Sequence, residues 1–115
     1  MKRDYVNVFK ALNDPNRIRI MKMLGERELC LCEVREVLGL SSSTVSKHLT
    51  ILRDADLILD SKEGKWVNFQ LNDKSKQKFI RLIMTLIKNS FEDDEAIQED
   101  TKKLHRVSRI KICNM

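Results

Sequence analysis

The 115-residue sequence predicts a mainly α-helical domain with one small β-hairpin. Three observations carry this reading. Three glycines and one proline are too few turn formers for a fold of many strands. Apolar residues recur at helical spacing through most of the chain. Only two segments, 57–61 and 66–71, read as strands, and in the second Val67, Phe69 and Leu71 alternate with Asn68 and Gln70.

Residues 4–12 form a short first helix with Val6 and Phe9 near one face, joined by Tyr5 and Leu12. Asn13-Asp14-Pro15 then punctuates the chain. Asp14 suits an N-cap and Pro15 the first helical position. The second helix, 15–24, carries Ile18, Ile20, Met21, Met23 and Leu24, apolar around much of its circumference, so it belongs at the centre of the core and ends at Gly25. Residues 29–38 form a third helix closed by Gly39, and a fourth starts in Ser41-Ser42-Ser43 and runs to about Ala55 with Val45, Leu49 and Leu52 on one face. Two short helices across a tight glycine turn are the helix-turn-helix pattern. The two strands, joined through Lys62-Glu63-Gly64-Lys65, make the hairpin that serves as its wing.

A long fifth helix over 73–91 places Phe79, Ile80, Ile83, Leu86, Ile87 and Phe91 along a stripe that the remaining chain is too short to cover, which points to a dimer interface. A last helix over about 93–107 is acidic at its start and basic at its end, complementing the helix dipole, although such charge runs are ordinarily solvated faces.

Composition narrows the function. Apolar residues make up 42% of the chain and charged residues 34%, and the net charge is +5. With a pI of about 9.2, the domain suits a polyanion, nucleic acid before an acidic membrane surface. Asp4, Asn7 and Lys10 break any apolar leader behind Lys2 and Arg3. No apolar run approaches the ~18 residues of a membrane span, so a cytoplasmic protein is expected. An odd count of three cysteines argues against a secreted disulfide framework and for free thiols, metal ligands or redox switches. No phosphate-binding glycine loop, HExxH or Gly-x-Ser-x-Gly occurs, which argues against an enzyme.

The fourth helix offers the candidate DNA contacts: Ser42, Ser43, Thr44, Ser46, Lys47 and, in part, His48. Short hydroxyl side chains at a helix N-terminus let backbone and base edges approach, and the terminus itself attracts phosphate. Lys47 suits guanine edges or phosphate, and Lys62 and Lys65 at the wing suit a neighbouring phosphate or the minor groove. Simple N-capping also explains the serines, and His48 also reads as a half-buried packing residue. A winged helix that binds proteins rather than DNA is the competing non-regulatory reading.

The stretches ALNDPNRIRIMKML, ELCLCEV, SSSTVSKHLTILRDADLI and KEGKWVNFQL resemble, in order and over about residues 5–90, the ArsR/SmtB family of winged-helix metal- and metalloid-responsive repressors. The resemblance implies a homodimer through the first and fifth helices. It also implies double-stranded operator DNA with an inverted repeat, read in successive major grooves, and an inducer that lowers DNA affinity. Residues 1–91 are then the DNA-binding and dimerisation domain, and 92–115 a C-terminal helix and tail that are candidates for the sensor site or dimer interface.

By the same resemblance, Cys30-Leu31-Cys32 matches the segment carrying the thiolate ligands of arsenic- and antimony-responsive members, and of some cadmium and lead sensors. Thiolate is the soft ligand these elements prefer, and a helix N-terminus lowers thiol pKa. Two thiols at i and i+2 do not share a helix face. Binding one atom would distort the first turn of the third helix and so disturb the recognition helix. The sequence departs from the arsenic-responsive pattern at Arg35, where many members carry a third cysteine, and no N-terminal cysteines are present. Cys113 is the remaining candidate ligand, folding back or reaching across the dimer. A two-thiol site would instead suit a methylated arsenical. The fifth helix has no histidine, against a zinc, nickel or cobalt site. The expected inducer is As(III) or Sb(III), with no cofactor required. The alternatives are a thiol-based redox sensor, or cysteines that are only small buried hydrophobes.

Overall fold

The computed structural model describes residues 3–107. In chain order these form α1 (Arg3–Leu12), α2 (Pro15–Glu26), β1 (Leu29–Cys30), α3 (Leu31–Leu38), α4 (Ser42–Asp54), β2 (Ile58–Glu63), β3 (Trp66–Leu71), α5 (Lys78–Lys88) and α6 (Glu95–Leu104). Among the described residues no helix is long and apolar enough to cross a membrane.

The α2 helix starts where the sequence places it. The Asp14 carboxylate accepts from the backbone N–H of Asn16 at 2.8 Å and of Arg17 at 3.1 Å. Such a cap contributes about 1 kcal/mol. Pro15 occupies the first turn, where its missing N–H leaves nothing unpaired. Ile20, Met21, Met23 and Leu24 are buried, and α2 touches α1, α3, α4, α5, α6 and β3. It continues one residue past Gly25 to Glu26, so Gly25 does not end it.

The three strands form an antiparallel sheet in the order β1-β3-β2. The β2–β3 hairpin pairs Glu63 with Trp66, leaving Gly64-Lys65 as a two-residue turn tighter than the expected four-residue connector. Gly64 takes φ 61°, which a side chain would resist. β1 replaces what the sequence suggests is the first part of α3. Leu29 and Cys30 pair with Phe69 and Asn68, so the helix begins only at Leu31. Because β3 is the middle strand, both Asn68 and Phe69 are buried. Val67, further toward the hairpin tip, is 40% exposed, so the expected alternation fails there.

Two further helices are shorter than expected. α5 covers 78–88 rather than 73–91, and Phe91 lies beyond it at φ 69°. Its apolar residues also serve two faces, not one stripe. Ile80, Ile83, Met84 and Ile87 are buried within this chain, in contact with α2, while Leu82 and Leu86 stay 56% and 60% exposed. α6 covers 95–104, capped by the Asp94 carboxylate accepting from Ile97 N–H at 3.1 Å, and packs across α2 and α3. Asp100, buried on α6, takes two hydrogen bonds from Arg19 of α2, at 2.7 and 2.8 Å, a bidentate pair that fixes the angle of α6.

Candidate nucleic-acid interface and thiol site

The α4 helix divides cleanly into two faces. Val45, Leu49 and Leu52 are buried in the common core. Ser42, Ser43, Thr44, Ser46 and Lys47 are exposed, so five of the six candidate residues on this helix face solvent. Ser41 is the N-cap: its Oγ accepts from Thr44 N–H at 3.2 Å and donates to Thr44 Oγ1 at 2.8 Å. The capping load thus falls on Ser41, whose Oγ also lies 3.3 Å from Ser43 Oγ, while Ser43 and Ser46 remain exposed. His48 is half-buried, with Nδ1 3.2 Å from an Arg17 guanidinium nitrogen, which fits the packing reading. Lys62 and Lys65 are exposed on the hairpin. Arg53 at the end of α4 pairs with Asp60 of β2 at 3.0 Å, tying helix and wing into one surface.

The two cysteines sit at a junction rather than on one regular helix. Cys30 ends β1 with extended backbone (φ −91°, ψ 168°), and Cys32 is the second residue of α3. The expectation that ligand binding must unwind a helical turn holding both residues therefore lacks its premise, because only Cys32 is helical. Cys30 is a free thiol, 1% exposed. Cys32 is half-buried and its sulfur is in a disulfide. Cys113 lies outside the described residues. Among the described residues no three His, Cys, Asp or Glu side chains gather as a metal site.

Burial pushes the Cys30 thiol up from its ordinary range, against the lowering expected at a helix N-terminus. The backbone N–H groups of Glu33 and Cys32 favour the thiolate, but desolvation outweighs them, and the Glu33 carboxylate adds to the rise. Glu33 is itself buried. It accepts from Cys30 N–H at 3.0 Å and from Arg27 at 2.9 Å, and Arg27 also reaches the Leu104 and Val107 carbonyls at 3.4 and 3.3 Å. One turn beyond Cys32, Arg35 donates to Ser42 Oγ at 3.1 Å.

Sequence reasoning missed Arg17, Arg27, Glu33 and the Arg53–Asp60 pair. Glu33 had a readable signal, since an acid three residues after a cap position is half of a capping box. The arginines had none, because their partners lie on other elements.

Two helices across Gly39, followed by a basic-tipped hairpin, define a winged helix-turn-helix protein. Residues 14–59 match the family described as "Bacterial regulatory protein, arsR family". The arsenical resistance operon repressor of Escherichia coli is 41% identical over 68 residues, 58% of each chain. The arsenical resistance operon repressor of Bacillus subtilis is 41% identical over 73 residues, 63% of this chain and 70% of that one. Reduced HlyU of Vibrio cholerae superposes with TM-score 0.62 at 29% identity, over 74% of this chain and 85% of that one. A homodimeric winged helix-turn-helix DNA-binding domain from Mycobacterium bovis has the same fold, with TM-score 0.64 at 20% identity over 74% and 75% of the two chains. The chain belongs to the ArsR family of DNA-binding transcriptional regulators. The match to the E. coli repressor spans less than two thirds of that protein's length.

Proposed function

We propose that this chain is a homodimeric, cytoplasmic repressor that leaves its operator when trivalent arsenic or antimony binds cysteine thiolates. The carrying observation is the placement of Cys30 and Cys32 at the start of α3, the helix that leads through Gly39 into the exposed serine–threonine–lysine face of α4. Two relatives bear the name of arsenical repressors, which supports arsenic as the inducer.

DNA contact falls to Ser42, Ser43, Thr44, Ser46 and Lys47, with His48 at the edge and Lys62 and Lys65 on the wing. The partner surface is apolar. Tyr5 and Phe9 of α1 contact Phe79 edge-on, with ring centroids 4.9 and 5.8 Å away. Leu82 and Leu86 follow Phe79 at helical spacing, and all but the half-buried Phe79 are exposed. A second copy covers this face, giving two α4 helices for the halves of an inverted repeat. Inducer capture requires a reduced Cys32 and an opened Cys30. Cys113, or the carbon substituent of a methylated arsenical, completes a three-coordinate site. Strain on the α3 start passes to α4 through the α3–α4 contact and the Arg35–Ser42 hydrogen bond.

A second reading, release on thiol oxidation, is favoured by the disulfide at Cys32. One experiment separates the two: reduced protein on a labelled duplex from its own promoter, titrated with arsenite under reducing conditions and followed by fluorescence anisotropy. Release at stoichiometric arsenite supports the metalloid reading. Retention under arsenite with release on oxidation supports the other.

A further inference from the structure

Arg17, in the first turn of α2, joins three elements with one guanidinium. Its Nε donates to the Ala11 carbonyl at 2.6 Å and its Nη2 to the Lys10 carbonyl at 3.3 Å, both in the last turn of α1. The last four carbonyls of a helix have no partner within it and carry the negative end of its dipole, so a buried cation is well placed there. The third nitrogen, Nη1, lies 3.2 Å from His48 Nδ1 on α4. The Arg17 side chain is only 14% exposed, and its nearest carboxylate, Asp14, is 3.9 Å away. Its hydrogen bonds therefore go mainly to α1 and α4.

A guanidinium has donors and no acceptor, so His48 Nδ1 must be the acceptor of this contact. The proton of the neutral ring then sits on Nε2. His48 is left as a donor, suited to a phosphate oxygen or to guanine N7 or O6 rather than to a donor edge.

We propose that Arg17 is a positioning residue for DNA recognition. It fixes the direction of α4 relative to α1, and so the distance between the two α4 helices of the dimer, while it sets the tautomer of His48. This rests on the reading above, in which α4 enters the groove and α1 lies at the dimer interface. In the same planar fork, lysine would supply one point charge and could not hold two carbonyls and an imidazole together.

The experiment selects a duplex from a random pool with the wild-type protein, then moves its two halves apart and together by one and two base pairs. Wild type should lose at least about tenfold in affinity at the first step, since each base pair also rotates one half-site around the DNA axis. Arg17→Ala should remain a dimer in sedimentation, bind the best duplex more weakly, and discriminate between neighbouring spacings by less than about threefold. Arg17→Lys should show the same flattened profile, and it serves as the test if Arg17→Ala does not fold. A profile that keeps its shape while affinity falls equally at all spacings would make Arg17 a mere support of the fold and overturn the proposal. A wild-type protein that selects no duplex would overturn the operator-binding reading itself.

Discussion

Arg35 donates a hydrogen bond to Ser42 Oγ at 3.1 Å, linking the α3 turn that follows Cys32 to the first residue of α4. Arg35 is the position where the sequence resemblance leads one to expect a third thiol, and in this chain it carries a contact instead. Removing it should uncouple the sites. A hydrogen bond contributes about 1 kcal/mol, a factor of about five in an equilibrium. Arg35→Ala should still bind arsenite with wild-type stoichiometry, read by mass spectrometry, and require about fivefold more for half-release of DNA in an anisotropy titration. Wild-type release from this variant would place the coupling elsewhere.

Lys47 is exposed on α4, one position before the half-buried His48. Lys47→Ala should weaken operator binding and leave the dimer intact. If the ammonium meets a phosphate, the slope of log affinity against log salt should fall by about 0.9 for each of the two copies. A reduced affinity with an unchanged slope would point to a base contact instead.

How far the sequence reveals this molecule depends on whether a signal is local. Asp14-Pro15, Gly39 and the serine run announce their turns and caps through their own backbone chemistry, and those turns and caps stand where they are expected. β1 is illegible because two residues become a strand only by pairing with Phe69 and Asn68, nearly forty positions away. The stripe on α5 misleads for a related reason. Periodicity shows which residues are apolar, but not that Ile80, Ile83 and Ile87 are buried within the chain while Leu82 and Leu86 stay uncovered. At the candidate site, the exposed face of α4 follows from spacing alone. The rise of the Cys30 pKa follows first from burial, which only the folded chain supplies.

That rise makes a pH prediction. Burial holds the Cys30 thiol protonated beyond the range of an unfolded cysteine. Below the ordinary thiol pKa, both states keep the proton and this group leaves stability unchanged. As pH rises through that range, the unfolded chain ionises first, so stability falls until the folded thiol ionises too. Denaturant unfolding of reduced protein between neutral and alkaline pH should show wild type losing stability relative to Cys30→Ala. Parallel pH profiles would show that the sulfur is not desolvated.

Asp100 predicts a cost of a different kind. It is 3% exposed and takes a bidentate pair from Arg19, whose side chain is 24% exposed. Asp100→Ala leaves a largely buried guanidinium with Asn16 as its remaining hydrogen-bond partner, at 2.9 Å. Breaking such a pair costs about 3 kcal/mol. Because the pair joins α2 to α6, the loss should appear as lowered unfolding free energy and faster amide exchange in α6, with α4 spared.

The dimer face gives the last test. Leu86 is 60% exposed on α5, on the same side as Leu82, and Phe9 of α1 is likewise 60% exposed beside Phe79. Nothing within the chain gains from leaving these side chains in water, whereas a second copy would bury them at about 25 cal/mol for each Å² removed from solvent. Leu86→Glu changes no buried contact of the monomer, so its thermal stability at low concentration should stay close to wild type. In the dimer two glutamates would face an apolar surface, and association should weaken at least about a hundredfold, read by sedimentation velocity across a dilution series. Operator affinity should fall with it, because one α4 helix alone holds half the contacts. A Leu86→Glu protein that remains dimeric would move the interface away from α1 and α5.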